Sequence, residues 1–166
     1  MVNQKNLIIA GLLIAGGIIV FFLFFQTDEA KIKKKFHRLA ERVEKEDVEN
    51  ELLTAATANK IQNMFADSCR IEIPSYSVDQ TFSKKEISSH VFYARAQYRK
   101  MSLKFLDFQF QFPQKGSAIV GLTAAFKAVT TFGEPVDEIH ELECSLNEMD
   151  DEWLFTGIMG VDVLER

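Results

Sequence analysis

Hydrophobic and polar positions divide the chain into one long apolar run and a series of shorter patterned segments. The run extends from Leu7 to Phe25 and contains no charged or strongly polar side chain. At about 1.5 Å of rise per residue, a helix of this length reaches roughly the 30 Å of a bilayer's hydrocarbon core. Such a helix satisfies its own backbone hydrogen bonds in lipid. We predict a tail and transmembrane signal anchor over residues 1–26; a helix buried in a globular protein is the alternative.

Three helices are predicted at the start of the domain that comes after the anchor, residues 27–166. The first has a 3.6-residue apolar period, carried by Ile32, Phe36, Leu39, Ala40 and Val43. The second runs from about Val48 to Phe65. The third begins at Ser83, which forms a capping box with Glu86, and continues to Met101. Phe82 and Ile87 are expected to form a hydrophobic staple around this start.

The period then changes from 3.6 to 2, which indicates strands. Four long strands are predicted, joined by turns at residues 113–116, 132–135 and 147–152. On the first, the apolar positions are Leu106, Phe108, Phe110 and Phe112; on the third, one face carries His140, Leu142, Cys144 and Leu146. The second covers residues 118–131 and the fourth residues 153–164. A short strand from Arg70 to Ile73 precedes a polar loop, residues 74–81.

These elements predict an α+β fold. After the transmembrane helix, three helices pack on a curved antiparallel sheet of four long strands plus a short strand, because each element has one apolar face to bury. The length after the anchor suits one domain.

Charge and composition remove several classes of function. The chain has 24 acidic and 19 basic residues, so no nucleic-acid partner is expected, since phosphate binding needs a local excess of Lys and Arg. His37, His90 and His140 are isolated in sequence, which predicts no metal site. No glycine-rich phosphate loop is present, and no cofactor is expected. Cys69 and Cys144 are interpreted as two buried thiols, with a disulfide as the alternative.

Two segments resemble the nuclear-transport-factor-2-like superfamily, the cystatin-like α+β cone that includes ketosteroid isomerases and polyketide cyclases. One is residues 80–87, QTFSKKEI, at the entry to the third helix. The other is residues 151–155, DEWLF, at the start of the closing strand. The resemblance covers residues 27–166 and carries no family signature. It implies a cavity between sheet and helices, where some members place an acid–base residue.

His140 is the candidate acid–base residue, because it shares the core-facing side of its strand with apolar positions. Tyr93 and Tyr98 are its candidate catalytic neighbours, and Asp107 is considered beside them. Phe108 and Tyr93 are candidate ligand contacts with His140. The alternative is a hydrogen-bonded structural histidine with Tyr98 as core. No residue matches the catalytic acid of the isomerases.

Function is therefore predicted as a single-pass, membrane-anchored, non-enzymatic binding or assembly module of the bacterial cell envelope. The alternative is a small-molecule binding protein or acid–base enzyme that uses a cavity near His140. Expected partners are the membrane through the segment from Leu7 to Phe25, a protein partner or second copy, and a small apolar ligand. Inner-membrane components of type IV secretion systems have a similar layout.

The predicted location is the bacterial inner membrane, with the domain on the exported side. The lysines after the anchor argue against this orientation under the positive-inside rule: Lys31, Lys33, Lys34 and Lys35. They form the solvated face of the first helix or contact anionic headgroups. Small bacterial proteins with one amino-terminal anchor usually export their domain, and by that analogy the exported side is favoured.

Overall fold

The computed structural model describes residues 27–161. The helices are α1 (Asp28–Val43), α2 (Glu51–Gln62) and α3 (Lys84–Gln97), and the strands are β1 (Phe65–Ile73), β2 (Val78–Ser83), β3 (Tyr98–Gln114), β4 (Ser117–Thr130), β5 (Pro135–Met149) and β6 (Glu152–Val161). Between residues 27 and 161, no helix is long and apolar enough to cross a membrane. The predicted anchor, residues 7–25, lies outside the described residues.

The six strands form one mixed sheet in the order β2-β1-β6-β5-β4-β3. The predicted antiparallel meander of four strands is confirmed as β3 to β6. The prediction of five antiparallel strands is wrong in two respects. There are six strands, and β1 pairs with β6 in parallel.

The missed strand β2 forms where the sequence predicts a polar loop. Its burial is slight along the whole strand, since it is an edge strand that pairs only with β1. An edge strand with no buried face has no apolar alternation to detect. Strand β1 begins at Phe65, earlier than predicted, because α2 ends at Gln62 and Asn63 caps it. Pairing with the distant β6 then holds the next residues extended.

A bulge corrects the predicted apolar face of β3. Asp107 has φ +55°, and the pairing with β4 shifts between Leu106 and Gln109. The extra residue reverses which side chains face the core. Leu106 is therefore 48% exposed. Phe105 faces the core in the place that was predicted for Leu106. The change from helix to strand also comes earlier than predicted, at Tyr98.

Phe36 of α1 lies at the centre of the aromatic core. It is 1% exposed, and its ring meets those of Phe105, Phe108 and Phe155 edge to face at centroid distances of 5.1, 5.4 and 5.0 Å. Edge-to-face contacts of this kind add to the free energy of burial. The space between α1 and this part of the sheet is thus occupied by side chains.

The predicted start of α3 is confirmed. The Ser83 backbone N–H donates to Glu86 Oε2 at 2.8 Å, and the Glu86 N–H donates to Ser83 Oγ at 3.4 Å. The Glu86 carboxylate accepts from the Ser83 N–H and also from the Ser83 hydroxyl, at 2.7 Å, and these two bonds hold the pKa of Glu86 below its ordinary value. Ile87 is buried, while Phe82 packs against His90 with ring centroids 5.2 Å apart.

Cys69 and Cys144 are free, buried thiols. Cys69 lies on β1 and Cys144 on β5, with β6 between them. Two strand spacings amount to about 10 Å, beyond the span of a disulfide. Burial raises the pKa of Cys69 to about 11 and that of Cys144 to about 12. Both thiols therefore stay protonated and unreactive near neutral pH.

Candidate functional site

A single carboxylate joins a phenol and an imidazole at the amino-terminal part of β5. The Tyr76 hydroxyl donates to Glu138 Oε2 at 2.7 Å. The same oxygen lies 3.2 Å from His140 Nε2. The Tyr76 and His140 rings are 5.8 Å apart between centroids and inclined by 59°. We refer to Tyr76, Glu138 and His140 as the β5 cluster.

Local structure explains how these three side chains meet. Glu138 and His140 are two residues apart on β5, so they project from the same face of the strand. That face continues into the buried Cys144 and Leu146. Tyr76 closes a 3₁₀ turn, Pro74–Tyr76, between β1 and β2, and Ser77 comes next with φ +54°. From this turn the Tyr76 side chain reaches Glu138 on β5.

Hydrogen bonding sets the protonation of the cluster. The bond from Tyr76 is the main cause that lowers the pKa of Glu138, and the bond with His140 adds to it. The same bond with Glu138 raises the pKa of Tyr76, and the neighbouring Tyr98 contributes in the same direction. Near neutral pH the cluster thus holds an ionised carboxylate and a protonated phenol. When neutral, His140 can donate from Nε2 to this carboxylate and accept at Nδ1.

A cleft of about 300 Å³ reaches the β5 cluster at His140. The 3₁₀ turn forms one wall with Pro74 and Ser75, and the end of β6 forms another with Gly160 and Val161. Its size is at the lower limit of small-molecule sites. The cleft therefore gives the imidazole access to a small ligand.

Tyr98, a predicted neighbour of His140, packs against β4, the strand next to β5. Its ring meets Phe126 edge to face at 5.8 Å, and Phe126 is the cross-strand partner of Glu138. The Tyr98 ring therefore lies on the strand beside the one that carries His140, and its role at the site stays a prediction.

The other predicted candidates lie elsewhere. Tyr93 is 65% exposed on α3 and packs against Phe92, because it falls off the helix face that carries the buried Ile87 and Arg95. Phe108 contacts Phe36 and stacks on Phe110. The β3 residue in register with His140, through Ala124, is Phe105. The placement of Tyr93 and Phe108 at His140 is therefore wrong.

Asp107 also lies away from the cluster. It is exposed at the β3 bulge, where the Thr123 hydroxyl lies 3.3 Å from its Oδ2 and 2.9 Å from Glu141 Oε1. Thr123 and Glu141 are on the face of the sheet opposite Ala124 and His140, since side chains alternate along a strand.

Sequence reasoning missed Glu138 and Tyr76. The strand alternation that placed His140 inward also places Glu138 on the same face, so this carboxylate was available from the pattern. Tyr76 had no local signal, because it belongs to a segment interpreted as a polar loop. Its contact with Glu138 depends on the turn after β1.

Two further observations narrow the choice of site. Among residues 27–161, no three His, Cys, Asp or Glu side chains are grouped so as to hold a metal ion. A larger groove of about 530 Å³ lies between α2 and α3, lined in part by Ala55, Ser88 and Tyr93, and its lining includes no carboxylate or imidazole. The β5 cluster therefore offers the richer proton chemistry despite its smaller cleft.

Comparison with known proteins shows the fold. No protein family profile and no curated protein matches the chain. Among solved structures, a candidate aromatic ring hydroxylase from Novosphingobium aromaticivorans aligns with a TM-score of 0.69 and 12% identity, over 83% of this chain and 90% of that one. A candidate scytalone dehydratase from the same species aligns with a TM-score of 0.62 and 14% identity, over 84% and 89%.

A third similar structure is named for assembly rather than for chemistry. It is a candidate calcium/calmodulin-dependent protein kinase II association domain from Xanthomonas campestris, with a TM-score of 0.64 and 10% identity over 85% of this chain and 91% of that one. The comparisons support the nuclear-transport-factor-2-like fold that the sequence resembles. At these identities they show the fold alone.

Proposed function

We propose that the domain binds a small organic molecule in the cleft at His140, with the β5 cluster as its polar contact. The observation that carries this proposal is the Glu138 carboxylate held between Tyr76 and His140 beside that cleft. Small-molecule sites combine an apolar wall with a few converging polar groups. Here Ile73 and Val161 supply apolar wall, and the polar groups come from His140, Glu141 and Ser75.

The cluster can orient a ligand that has both a donor and an acceptor. Glu138 is ionised and already accepts from Tyr76, so it fixes the imidazole through Nε2. Nδ1 of His140 has no hydrogen-bond partner within residues 27–161, and it can accept from a ligand hydroxyl or amide. A protonated His140 can instead donate to a ligand carbonyl or carboxylate.

Acid–base catalysis at the same place is the second candidate. A histidine held by a carboxylate exchanges protons near neutral pH, which suits isomerisation or elimination next to a carbonyl group. The observation that favours it is the contact between Glu138 Oε2 and His140 Nε2 at 3.2 Å, which orients the ring. Two structural neighbours are named as candidate enzymes, a hydroxylase and a dehydratase.

Membrane anchoring remains part of the proposal on sequence grounds. The apolar run from Leu7 to Phe25 supports a single-pass anchor, and the exported side of a bacterial inner membrane remains the proposed location. An assembly role for the domain rests on this layout, whereas the cleft and the β5 cluster favour a small-molecule ligand. Deleting residues 1–26 should release the protein from washed membranes if the anchor is real.

Native mass spectrometry of the full-length chain, released from detergent micelles in the gas phase, tests the binding proposal. A retained small molecule should appear as added mass, and this mass should be lost on His140→Phe. His90→Phe is the matched control, because His90 is exposed and packs on Phe82. Retention of the same adduct in the His140 variant would place the ligand elsewhere. For the enzymatic candidate, turnover that survives His140→Ala would exclude the imidazole as the proton-transfer group.

A further inference from the structure

Two buried cations bind backbone carbonyl oxygens where the end of α1 meets the junction of α3 and β3. Arg95 of α3 is 2% exposed and Lys45, just after α1, is 7% exposed. Arg95 donates from Nη1 to the carbonyl oxygens of Arg42 and Val43 at 3.0 and 2.8 Å, at the end of α1. Lys45 Nζ donates in turn to the carbonyl oxygens of Arg95 and Tyr98, both at 2.7 Å.

Glu49 forms an ion pair with Arg95. Its carboxylate forms a two-pronged contact with Arg95, from Nη2 to Oε1 at 2.6 Å and from Nε to Oε2 at 3.1 Å. Two-pronged contacts between guanidinium and carboxylate fix geometry as well as charge. Buried cations are expensive unless they are paired and hydrogen-bonded. Arg95 meets both conditions, whereas Lys45 is held by two carbonyl oxygens.

The Lys45 ammonium lies at the point where the chain changes from helix to strand. Tyr98 has φ −114° and ψ 136°, so the backbone makes this change at that residue without a loop. Lys45 also pairs its backbone with Met101, N–H to carbonyl in both directions at 2.9 Å. One lysine therefore holds β3 at Tyr98 through its side chain and at Met101 through its backbone.

We infer that Lys45 is a positioning residue for the β5 cluster: by binding the Arg95 and Tyr98 carbonyl oxygens, it sets the Tyr98 ring against Phe126 and so next to Tyr76 and Glu138. The Tyr98 ring lies 5.8 Å from that of Phe126 between centroids, and Phe126 is in register with Glu138 across β4 and β5. Its importance for ligand binding depends on the proposed function, but the positioning does not.

Fluorine NMR of the full-length chain labelled with 3-fluorotyrosine tests this inference without any ligand. The protein has three tyrosines, which give three resonances. Lys45→Met keeps the apolar stem and removes the ammonium. We expect the resonances of Tyr98 and Tyr76 to shift or broaden while that of Tyr93, which is 65% exposed on α3, stays in place. Lys115→Met, in the exposed turn between β3 and β4, is the matched control and should move none of them.

An unchanged Tyr98 resonance in a folded Lys45→Met protein overturns the inference, and so does an equal shift in the Lys115 control. Because Lys45→Met can fail to fold, a measurement on the unsubstituted chain stands beside it. An ammonium that donates to two carbonyls is shielded from exchange with water. Lysine-selective ¹⁵N spectra should therefore show a protected ammonium with a nuclear Overhauser contact to Tyr98, and absence of that contact also overturns the inference.

The two tests separate the two proposals. Shifted Tyr98 and Tyr76 signals together with an empty cleft in the mass spectrum would leave Lys45 as a positioning residue and remove the ligand proposal. If a bound molecule is found and the Tyr98 resonance stays unchanged in the Lys45 variant, the ligand proposal stands and the positioning role of Lys45 is excluded.

Discussion

Tyr76 and Glu138 lie 62 positions apart in the chain, and the Tyr76 hydroxyl donates to Glu138 Oε2 over 2.7 Å. The contact joins the turn before the edge strand β2 to the middle of the sheet. It fixes the carboxylate that in turn binds His140. The chemistry of the candidate site therefore depends on a tertiary contact, and removing the phenol should show how strong that dependence is.

Tyr76→Phe should raise the pKa of Glu138 toward its ordinary value of 4.5, since the bond from Tyr76 is the largest cause of its lowering. The bond stabilises the ionised carboxylate. Its contribution to the free energy of unfolding is therefore present at pH values above the ordinary pKa of Glu138, and it is lost as pH falls through the lower pKa of the folded state. It is lost again at high pH as Tyr76 ionises through its raised pKa. Because Tyr76 is 53% exposed and the Glu138 side chain 41%, solvent screens the bond, and the difference at neutral pH should stay below about 1 kcal/mol.

Urea unfolding of the full-length chain at a series of pH values measures this difference. The difference in the free energy of unfolding between wild type and Tyr76→Phe should be largest near neutral pH and should disappear in acid. Tyr93→Phe is the control, because Tyr93 is exposed on α3 and lies against Phe92. A gap that does not narrow in acid would mean that the Tyr76 hydroxyl does not act through Glu138.

The elements that the sequence predicted well are those whose signal is local. The meander from β3 to β6 is explained by two-residue alternation and turn residues, and the start of α3 by Ser83 and Glu86. The face of β5 that carries His140 was also predictable, since burial of Cys144 and Leu146 has the same period.

The elements that the sequence did not predict depend on distant partners. Strand β2 has no buried face and is extended because β1 is beside it. The apolar residues on both sides of Asp107 fit the two-residue pattern of a strand, so the pattern does not show the bulge. The bulge nevertheless turns Leu106 away from the core. Tyr76 reaches the site because the turn after β1 places it there. Local periodicity cannot report any of these, because each is decided by pairing between strands.

Arg95→Met should destabilise the fold by about 3 kcal/mol, because it leaves Glu49 without its partner in a mostly buried place and the end of α1 without its donor. The side chain of Glu49 is only 15% exposed. Thermal or urea unfolding of the full-length chain gives the comparison. Arg70→Met is the control: Arg70 is 61% exposed and paired with Glu72 and Asp79, so its loss should cost less than about 1 kcal/mol. Equal losses would contradict a structural role for the buried guanidinium.

Phe36→Ala should cost about 3–5 kcal/mol, the range for removal of a fully buried phenylalanine. Three aromatic rings lose their common partner. Phe132→Ala removes the same atoms from a position that is 93% exposed and should change the free energy of unfolding by less than about 0.5 kcal/mol. A small effect at Phe36 would mean that the core closes over the missing ring.

Asp107 provides a test of the bulge that reverses the faces of β3. Its φ of +55° lies in the left-handed region, where side chains with a Cβ are strained and β-branched ones most of all. Asp107→Gly should therefore leave stability within about 0.5 kcal/mol of wild type, since relief of strain offsets the greater freedom of the unfolded chain. Asp107→Val should cost about 2 kcal/mol.

Both substitutions at Asp107 remove the contact with the Thr123 hydroxyl, so the difference between their urea midpoints isolates the backbone. If the valine variant is as stable as the glycine variant, residue 107 does not hold a left-handed conformation, and β3 runs through without a bulge. Leu106 would then face the core as simple alternation predicts. In that case Phe105 would leave its contact with Phe36, and the register that places Phe105 across the sheet from His140 would be lost with it.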